Sequence, residues 1–224
     1  MALLAALAVA DDPTVWATLG FAVAPDGTVT VGGTVVALGA PGTGLTGWRL
    51  AGAPSDIDGL VTAGPVTADP ASAGPVTAAG DADDGPSHPN GVHAVDHVVV
   101  TTPDLARTLA ALQDAGLELR RTRRAGGGEE GQPRVQAFFL LGRTVLEVVG
   151  PAEGAAAGPA HLWGVTFSVS DLDATVAYFG DRIGVARDAV QPGRRIATLR
   201  RHAGSSVPMA FMSPHARRPG AAGG

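Results

Sequence analysis

The chain has 224 residues, enough for one large or two small domains, and its 45% hydrophobic content predicts a genuine core. The 16 basic and 21 acidic residues give a net charge of −5, which offers no general attraction to nucleic acid or anionic lipid. All the basic residues are arginine and there is no cysteine, so lysine Schiff bases, thiolate metal sites, disulfides and cysteine nucleophiles are excluded. A small molecule is therefore the expected partner.

The first ten residues, MALLAALAVA, allow two interpretations. The apolar run ends in Ala8-Val9-Ala10 before Asp11, which imitates a signal-peptidase site. No positive charge follows Met1, however, and the same residues fit a buried strand. No other stretch reaches the length of a membrane span, so the sequence predicts a cytoplasmic protein without a membrane partner.

Residues 62–92 consist mainly of Ala, Gly, Pro, Thr, Ser and Asp and contain AGPVTA twice. Such a segment cannot bury enough apolar surface to offset the entropy that is lost on ordering. It is predicted to be a flexible linker, and residues 217–224 are predicted to form a disordered tail. The chain is thereby divided into an N-terminal segment, 1–61, and a C-terminal segment, 93–216.

The C-terminal segment has the same order of elements twice. VDHVVVTTPDL (95–105) is typical of a strand that ends at a helix N-cap, and a short amphipathic helix and three further strands follow it. LWGVTFSVSDL (162–172) begins a second copy, since His97 precedes Asp104 by seven residues as Gly164 precedes Asp171. Two βαβββ units are the economical explanation.

The N-terminal segment predicts a shorter copy of the same unit. VGGTVVALGAP (31–41) aligns without a gap with LGRTVLEVVGP (141–151), and DDPTVWATLGF (11–21) has the pattern of a capped helix. MALLAALAV would then be its first strand, and Ala37 falls at the position of Glu147. The segment 1–61 is therefore predicted to be a partial βαβββ-like module.

VDHVVVTTPDL, VLEVVGP, LWGVTFSVSDLDATVAYF and VPMAFMSP resemble the vicinal oxygen chelate superfamily of glyoxalase-like proteins. This superfamily includes glyoxalase I, extradiol dioxygenases, methylmalonyl-CoA epimerase and bleomycin-resistance proteins. The resemblance implies an α+β fold in which paired βαβββ modules form an open, cup-shaped mixed sheet. It also implies that each module contributes one metal ligand from its first strand and one from its fourth. In the first module these positions are His97 and Glu147.

The chemistry of this pair also follows from its surroundings. His97 shares a strand face with Val99 and Thr101, and Glu147 shares one with Val149, so both project from apolar sheet surface. A carboxylate there is costly unless it is paired, protonated or bound to a cation. The pair predicts a site for zinc, iron, manganese or nickel. The alternative is that His97 and Glu147 form a hydrogen-bonded pair with a structural role only.

The second module departs from this pattern, because Gly164 and Ala210 fall at its two ligand positions. The cup then offers two protein ligands, whereas a catalytic metal site usually keeps three. Two ligands and water predict weak binding, unless another subunit of a homodimer or another histidine completes the site. The histidines considered are His88, His93, His161 and His202; on a regular strand, His161 is expected to point away from the cup.

Several other residues are candidates for ligand contacts. The four arginines at 120, 121, 123 and 124 could receive a phosphate or carboxylate, although such a run is more typical of a solvated edge strand. Arg194 and Arg195 follow a turn and could reach the rim of the cup, with the same alternative. Trp163 is expected to pack in the core, with a role facing the ligand as the alternative.

These observations leave different functions open. In the first, a divalent ion on His97 and Glu147 polarises the vicinal oxygens of a small substrate in a lyase, isomerase or dioxygenase reaction, with Glu147 also acting as a base. In the second, a non-catalytic protein binds or sequesters a small molecule, as bleomycin-resistance proteins do. A third, purely structural role is the least specific. Gly164 and Ala210 favour the second function, whereas the His97–Glu147 pair favours the first.

Overall fold

The computed structural model describes residues 2–54, 56–61, 88–125 and 133–214. The N-terminal unit contains β1 (Leu3–Val9), α1 (Pro13–Thr18), β2 (Thr28–Val31), β3 (Thr34–Ala37), β4 (Leu45–Ala51), β5 (Asp56–Ile57) and β6 (Leu60–Val61). The first module contains β7 (Val92–Thr101), α2 (Leu105–Asp114), β8 (Leu119–Ala125), β9 (Arg134–Leu141) and β10 (Thr144–Pro151). The second contains β11 (His161–Val169), α3 (Leu172–Phe179), β12 (Arg187–Asp188), β13 (Arg195–Thr198) and β14 (Met209–Met212).

The helices of the two modules begin at the predicted N-caps. Asp104 accepts a hydrogen bond from the backbone N–H of Arg107 at the start of α2, and Asp171 accepts two from the first turn of α3. Each carboxylate thus satisfies backbone donors that have no partner within the helix. Across the described ranges, no helix combines the length and the apolar character that crossing a bilayer requires.

The two modules share one eight-stranded sheet in the order β12-β13-β14-β11-β7-β10-β9-β8. In each module the last strand lies beside the first strand and parallel to it, and the first strands, β7 and β11, pair antiparallel at the centre. The sheet is mixed and remains open, with β12 and β8 at its edges. The predicted α+β fold with paired βαβββ modules is therefore confirmed.

The strand register of the first module determines which residues share a face. Val98 on β7 pairs with Leu146 on β10. His97 immediately precedes Val98, and Glu147 immediately follows Leu146. Both Val98 and Leu146 are fully buried. Since side chains alternate along a strand, His97 and Glu147 project together from the opposite face of the sheet.

The second module repeats this register. Val165 on β11 pairs with Met209 on β14, as Val98 pairs with Leu146 in the first module. The residues equivalent to His97 and Glu147 are therefore Gly164 and Ala210.

The N-terminal unit has its own four-stranded sheet in the order β2-β3-β1-β4. β3 lies parallel to β1 with Leu7 paired to Val36, which places Ala6 and Ala37 at the positions equivalent to His97 and Glu147. β4 pairs antiparallel with the other side of β1, as β11 does with β7. In the described part of this unit, only β2 lies between α1 and the parallel strand β3, whereas a complete module has two strands there. This confirms the partial copy predicted from the sequence.

The structure describes only a small part of the predicted linker, because residues 62–87 lie outside the described ranges. His88 is buried, and its Nδ1 accepts a hydrogen bond from the backbone N–H of Ala22 at 3.0 Å. Asn90 is also buried and donates from Nδ2 to the Leu19 carbonyl at 3.0 Å. The last residues before β7 therefore pack against the N-terminal unit. The predicted tail, 217–224, also lies outside the described residues.

Aromatic side chains join the N-terminal unit to the second module. The rings of Trp16 and Phe21 lie 6.1 and 5.2 Å, centroid to centroid, from that of Phe167 on β11. Phe167 in turn contacts Phe211 on β14, and all four are buried. Aromatic pairs at these separations add to the stabilisation from burial alone, so the two parts of the chain share one core.

Asp11 supplies a polar anchor beside this core. Its carboxylate is 7% exposed and accepts hydrogen bonds from Trp16 Nε1, from both the hydroxyl and the N–H of Ser206, and from the Ser205 hydroxyl. Burial by itself would raise the pKa of Asp11, but these donors together lower it below its ordinary value. Asp11 therefore links the start of α1 to the loop before β14 as a carboxylate.

We expect Asp11→Asn to lower the free energy of unfolding at pH 7 by about 1–3 kcal/mol, since an amide cannot satisfy the same donors. The folded pKa of Asp11 lies below the ordinary value of 3.8, so its contribution is complete above that value and is lost as the pH falls below it. Urea unfolding at pH 7 and pH 3 should show a smaller difference from the wild type at pH 3. Asp188→Asn, at an exposed position, serves as the control. An equal loss at both pH values would contradict the prediction.

Candidate functional site

A cavity of about 930 Å³ lies over the middle of the eight-stranded sheet. This volume suits a small organic ligand. Its walls combine apolar and polar side chains. The apolar lining includes Val99, Val149, Trp163, Val165, Ile196 and Met209, and the polar lining includes His97, Thr101, Arg134, Gln136, Glu147, Thr198 and Arg201.

The structure brings the two predicted site residues together in this cavity. The Nε2 atom of His97 lies 3.9 Å from Oε2 of Glu147, and each side chain is 14% exposed. This separation exceeds hydrogen-bond distance. The direct hydrogen bond expected as the alternative from the sequence is therefore not formed. The two groups lie within ion-pair distance, and each is anchored on its outer side.

Asp96 anchors the outer side of His97. Its Oδ1 lies 2.9 Å from Nδ1 of His97, and its Oδ2 accepts hydrogen bonds from Arg194 at 2.6 Å and from Ser168 at 3.0 Å. Burial by itself would raise the pKa of Asp96, but the hydrogen bonds from His97 and Arg194 and the charge of Arg194 lower it well below its usual range. In the neutral imidazole an ionised Asp96 holds the proton on Nδ1, so that Nε2 faces the cavity as an acceptor.

A β-bulge explains how Asp96 reaches its neighbour in the chain. Val95 pairs with Phe167 and His97 pairs with Thr166, so β7 has one residue more than β11 over this interval. On a regular strand Asp96 and His97 would point to opposite faces. The extra residue breaks the alternation and turns the Asp96 carboxylate towards the imidazole.

Gln136 on β9 anchors the outer side of Glu147. Its Nε2 donates to Oε1 of Glu147 at 2.5 Å, and its own Oε1 accepts a hydrogen bond from Nε of Arg123 at 2.6 Å. Because the guanidinium only donates, it fixes which end of the amide faces the carboxylate. Oε2 of Glu147 is thereby left to face His97 and the cavity.

The second half of the expected ligand set is closed by backbone packing. A Cβ atom at Gly164 would lie 2.7 Å from the carbonyl oxygen of Pro208, which also accepts the backbone N–H of Val165 at 3.0 Å. The close approach of β11 to β14 therefore requires glycine. Ala210 lines the cavity with a methyl group only. Within the described ranges, no cluster of three His, Asp or Glu side chains has an arrangement that could hold a metal ion. The four-ligand set implied by the resemblance does not fit these residues.

Comparison with solved structures finds similar folds among methylmalonyl-CoA epimerases. The one from Mycobacterium tuberculosis is 18% identical, with a TM-score of 0.44, over 56% of this chain and 91% of that one. A Streptomyces coelicolor methylmalonyl-CoA epimerase in complex with 2-nitronate-propionyl-CoA is 20% identical, with a TM-score of 0.43, over 56% and 99%. A hypothetical protein from Bacillus halodurans is 13% identical, with a TM-score of 0.42, over 55% and 96%. No family model and no curated protein sequence matches the chain.

The strand order decides the fold. In both modules the parallel first and last strands flank the seam between β7 and β11, as the sequence resemblance implied. The fold is that of the paired βαβββ modules which the resemblance to glyoxalase-like proteins implied. The activities named for the similar structures are those of other proteins, and the site of this chain departs from a four-ligand glyoxalase-like centre at Gly164 and Ala210.

The histidines considered as further ligands lie away from the glyoxalase-like cup. His88 is buried against the N-terminal unit and accepts or donates only to backbone groups there. His161 and His202 are exposed, and His93 has a buried Nδ1 without a partner in the described ranges. None of the four lines the cavity.

The expectation that Trp163 packs in the core is wrong. Trp163 is 53% exposed and lines the cavity. Its neighbours explain the difference, because Leu162 pairs with Val100 while Gly164 pairs with Val99, which leaves Trp163 as an extra residue on β11. This second bulge breaks the alternation of side chains along β11 and turns Trp163 towards the cavity.

The arginines also separate into different roles. β8 is an edge strand, where Arg120 pairs with Glu118 and Arg121 lies over the ring of Phe138, in agreement with a largely solvated edge. Arg123 differs, because it contacts Gln136 in the site. Arg194 does not reach the rim as considered from the sequence; it is 2% exposed and holds Asp96.

We expect Gly164→Ala to lower the melting temperature, with a loss of about 1–3 kcal/mol of stability, because the added methyl group forces β11 away from Pro208. Gly184→Ala is the matched control, since its Cβ would meet Thr198 O at an ordinary 3.4 Å. Thermal unfolding of the two variants compares them directly. Equal stability of Gly164→Ala and the wild type would contradict the account of the closed position.

We expect Arg194→Met to lower the free energy of unfolding by about 3–5 kcal/mol, because it leaves the buried Asp96 carboxylate without its charged partner. The adjacent Arg195 is the control. It forms an exposed pair with Asp173, so Arg195→Met should cost at most about 1 kcal/mol. Denaturant unfolding measures both losses, and similar values for the two variants would show that the Arg194–Asp96 contact has no special weight.

Proposed function

We propose that this protein binds a small oxygenated molecule in its glyoxalase-like cup and that His97 and Glu147 contact the oxygen atoms of that molecule. The proposed mode is binding or sequestration without catalysis. The observation that carries this choice is the closed position at Gly164, where the Pro208 carbonyl leaves no room for a side chain. Only the first module therefore has side chains at the expected ligand positions that can contact a ligand.

The orientation of the two side chains defines what they recognise. With the proton of a neutral His97 held on Nδ1 by Asp96, Nε2 is an acceptor, and Oε2 of Glu147 is an acceptor beside it. Two adjacent acceptors fit two adjacent donors, such as the hydroxyl groups of a diol or an enediol. The apolar walls around them, including Val99 and Val149, suit the hydrocarbon part of such a ligand.

A metal-dependent enzyme is the second candidate. Its support is the convergence of His97 Nε2 and Glu147 Oε2, whose outer sides are held by Asp96 and Gln136, since metal ligands are commonly oriented by such partners. Zinc, iron, manganese or nickel would suit an imidazole and a carboxylate, and such an ion would polarise substrate oxygens. In that case the reaction would be that of a lyase, isomerase or dioxygenase, with Glu147 as the base.

The proposed binding is tested with catechol, a neutral probe with two adjacent hydroxyl groups. Trp16 and Trp48 are buried, so a change in emission on titration reports on Trp163 in the cup. We expect His97→Ala and Glu147→Gln each to weaken catechol binding about tenfold, since each removes an acceptor that faces the ligand. His202→Ala and Glu118→Gln, both at exposed positions, are the matched controls. Unchanged affinity in the two site variants would contradict the proposal.

Metal content separates the two candidates. Protein purified without a histidine tag is analysed for transition metals and titrated with zinc or nickel by calorimetry. Binding as proposed requires catechol affinity to be the same with and without a chelator. One equivalent of metal that disappears in both His97→Ala and Glu147→Gln, together with loss of catechol binding on chelation, would overturn the metal-free mode in favour of the second candidate.

A further inference from the structure

We infer that the ligand carries an anionic group, a carboxylate or a phosphate, which Arg134 and Arg201 bind at one end of the cup. The inference rests on the proposed function and adds the chemical class of the ligand. It depends on where the two arginines lie in the sheet, on the lack of partners for them among the described residues, and on the wall around them.

The strand directions place both arginines at the same end of the cup. Arg134 pairs with Pro151, the last residue of β10. β7 runs parallel to β10, β11 antiparallel to β7, β14 parallel to β11, and β13 antiparallel to β14. β13 therefore runs towards the end of the sheet where β10 ends, and its last residue, Thr198, is level with His97 through Ala210 and Thr166. Arg201 begins the short 3₁₀ turn that follows β13, and it lines the cavity with Arg134.

Both guanidinium groups are available to a ligand. The Nε atom of Arg134 is buried and has no hydrogen-bond partner among the described residues. Arg201 makes no side-chain hydrogen bond or ion pair within those residues, and it is exposed. A buried N–H without an acceptor is unfavourable, and an anionic oxygen would satisfy it. Glu147 is the single acidic residue that lines the described cavity, and Gln136 already binds one of its oxygens.

Prolines and threonines share the wall around the arginines. Four prolines line the cavity, and proline has no backbone N–H to offer. The donors to an anion at this end are the two guanidinium groups and the hydroxyl group of Thr101, which lines the cavity near the end of β7. Trp163 adds an exposed apolar face against which a planar part of the ligand can pack. The prolines are Pro103, Pro133, Pro151 and Pro208.

The spacing within the sheet predicts an extended ligand. Pro151, which pairs with Arg134, lies four residues beyond Glu147 on β10. Four residues of a strand span about 13 Å. An arginine side chain covers part of that distance, so the anionic group and the oxygen atoms that reach His97 are separated by several bonds. The ligand is then a small acid or phosphate ester with an oxygenated centre at its other end.

The inference is tested by titrating benzoate, phenyl phosphate and neutral phenol while following the emission of Trp163. We expect at least one of the two anionic probes to bind about tenfold more tightly than phenol, and the tighter one to identify carboxylate or phosphate as the anion. Arg134→Gln and Arg201→Gln should each remove most of that preference. Arg124→Gln, which changes an exposed arginine outside the cavity, should leave it intact.

Two further measurements separate this inference from the proposed function. His97→Ala should leave the preference for the anionic probe within about twofold of the wild type while it weakens catechol binding. Raising the ionic strength should weaken binding of the anionic probe and leave catechol binding unchanged. Equal affinity for phenol and both anions would overturn the inference. So would an unchanged preference for the anion over phenol in the folded Arg134→Gln and Arg201→Gln variants. Either result would count even if catechol binding still requires His97 and Glu147.

Discussion

The antiparallel pairing of β7 with β11 is the constraint on which the site depends. It joins the two modules into one sheet, and it is irregular at several points because the paired strands do not advance residue for residue. One extra residue on β7 turns Asp96 towards His97, and one extra residue on β11 turns Trp163 into the cup. Bulges of this kind locally disrupt the ladder and re-aim side chains. The same seam therefore supplies the orienting carboxylate and the aromatic wall.

Two chains of contacts converge on the gap between His97 and Glu147. One runs from Arg194 through Asp96 to His97, and the other runs through Gln136 to Glu147. Buried charged groups of this kind are weak sources of net stability, because desolvation offsets much of their attraction. Their effect is geometric, since they fix the acceptor atoms that face the cavity. In the proposed binding, a preorganised pair avoids the cost of ordering its side chains.

The three copies of the strand register have diverged at the same two positions. His97 and Glu147 occupy them in the first module, whereas the second module and the N-terminal unit have small residues there. At Gly164 the reason is steric, because β14 approaches β11 too closely for any side chain. The N-terminal unit instead contributes packing, and Asp11 ties it to the loop that leads to Pro208 in the wall of the cup. At these two positions the first module thus carries polar side chains, and the second module and the N-terminal unit carry small ones.

The sequence by itself determined the features that depend on local pattern. Alternation along strands, helix caps and the repeated spacing predicted the paired modules, the partial N-terminal copy, and a common face for His97 and Glu147. It also predicted that the second module lacks ligands. These features follow from neighbours within a single element or from a fixed offset between copies, so no tertiary contact was needed to find them.

Only the tertiary structure decided which residues contact His97 and Glu147. Asp96 and Trp163 were missed or misplaced because a bulge depends on how two distant strands pair, whereas strict alternation assigns each to the wrong face. Arg194 meets Asp96 from the residue just before β13, far along the chain, and no local signal distinguishes it from the solvated Arg195 beside it. The orientation of His97 and the closure of the cup at Gly164 arise from packing between strands, which residue type and spacing alone do not specify.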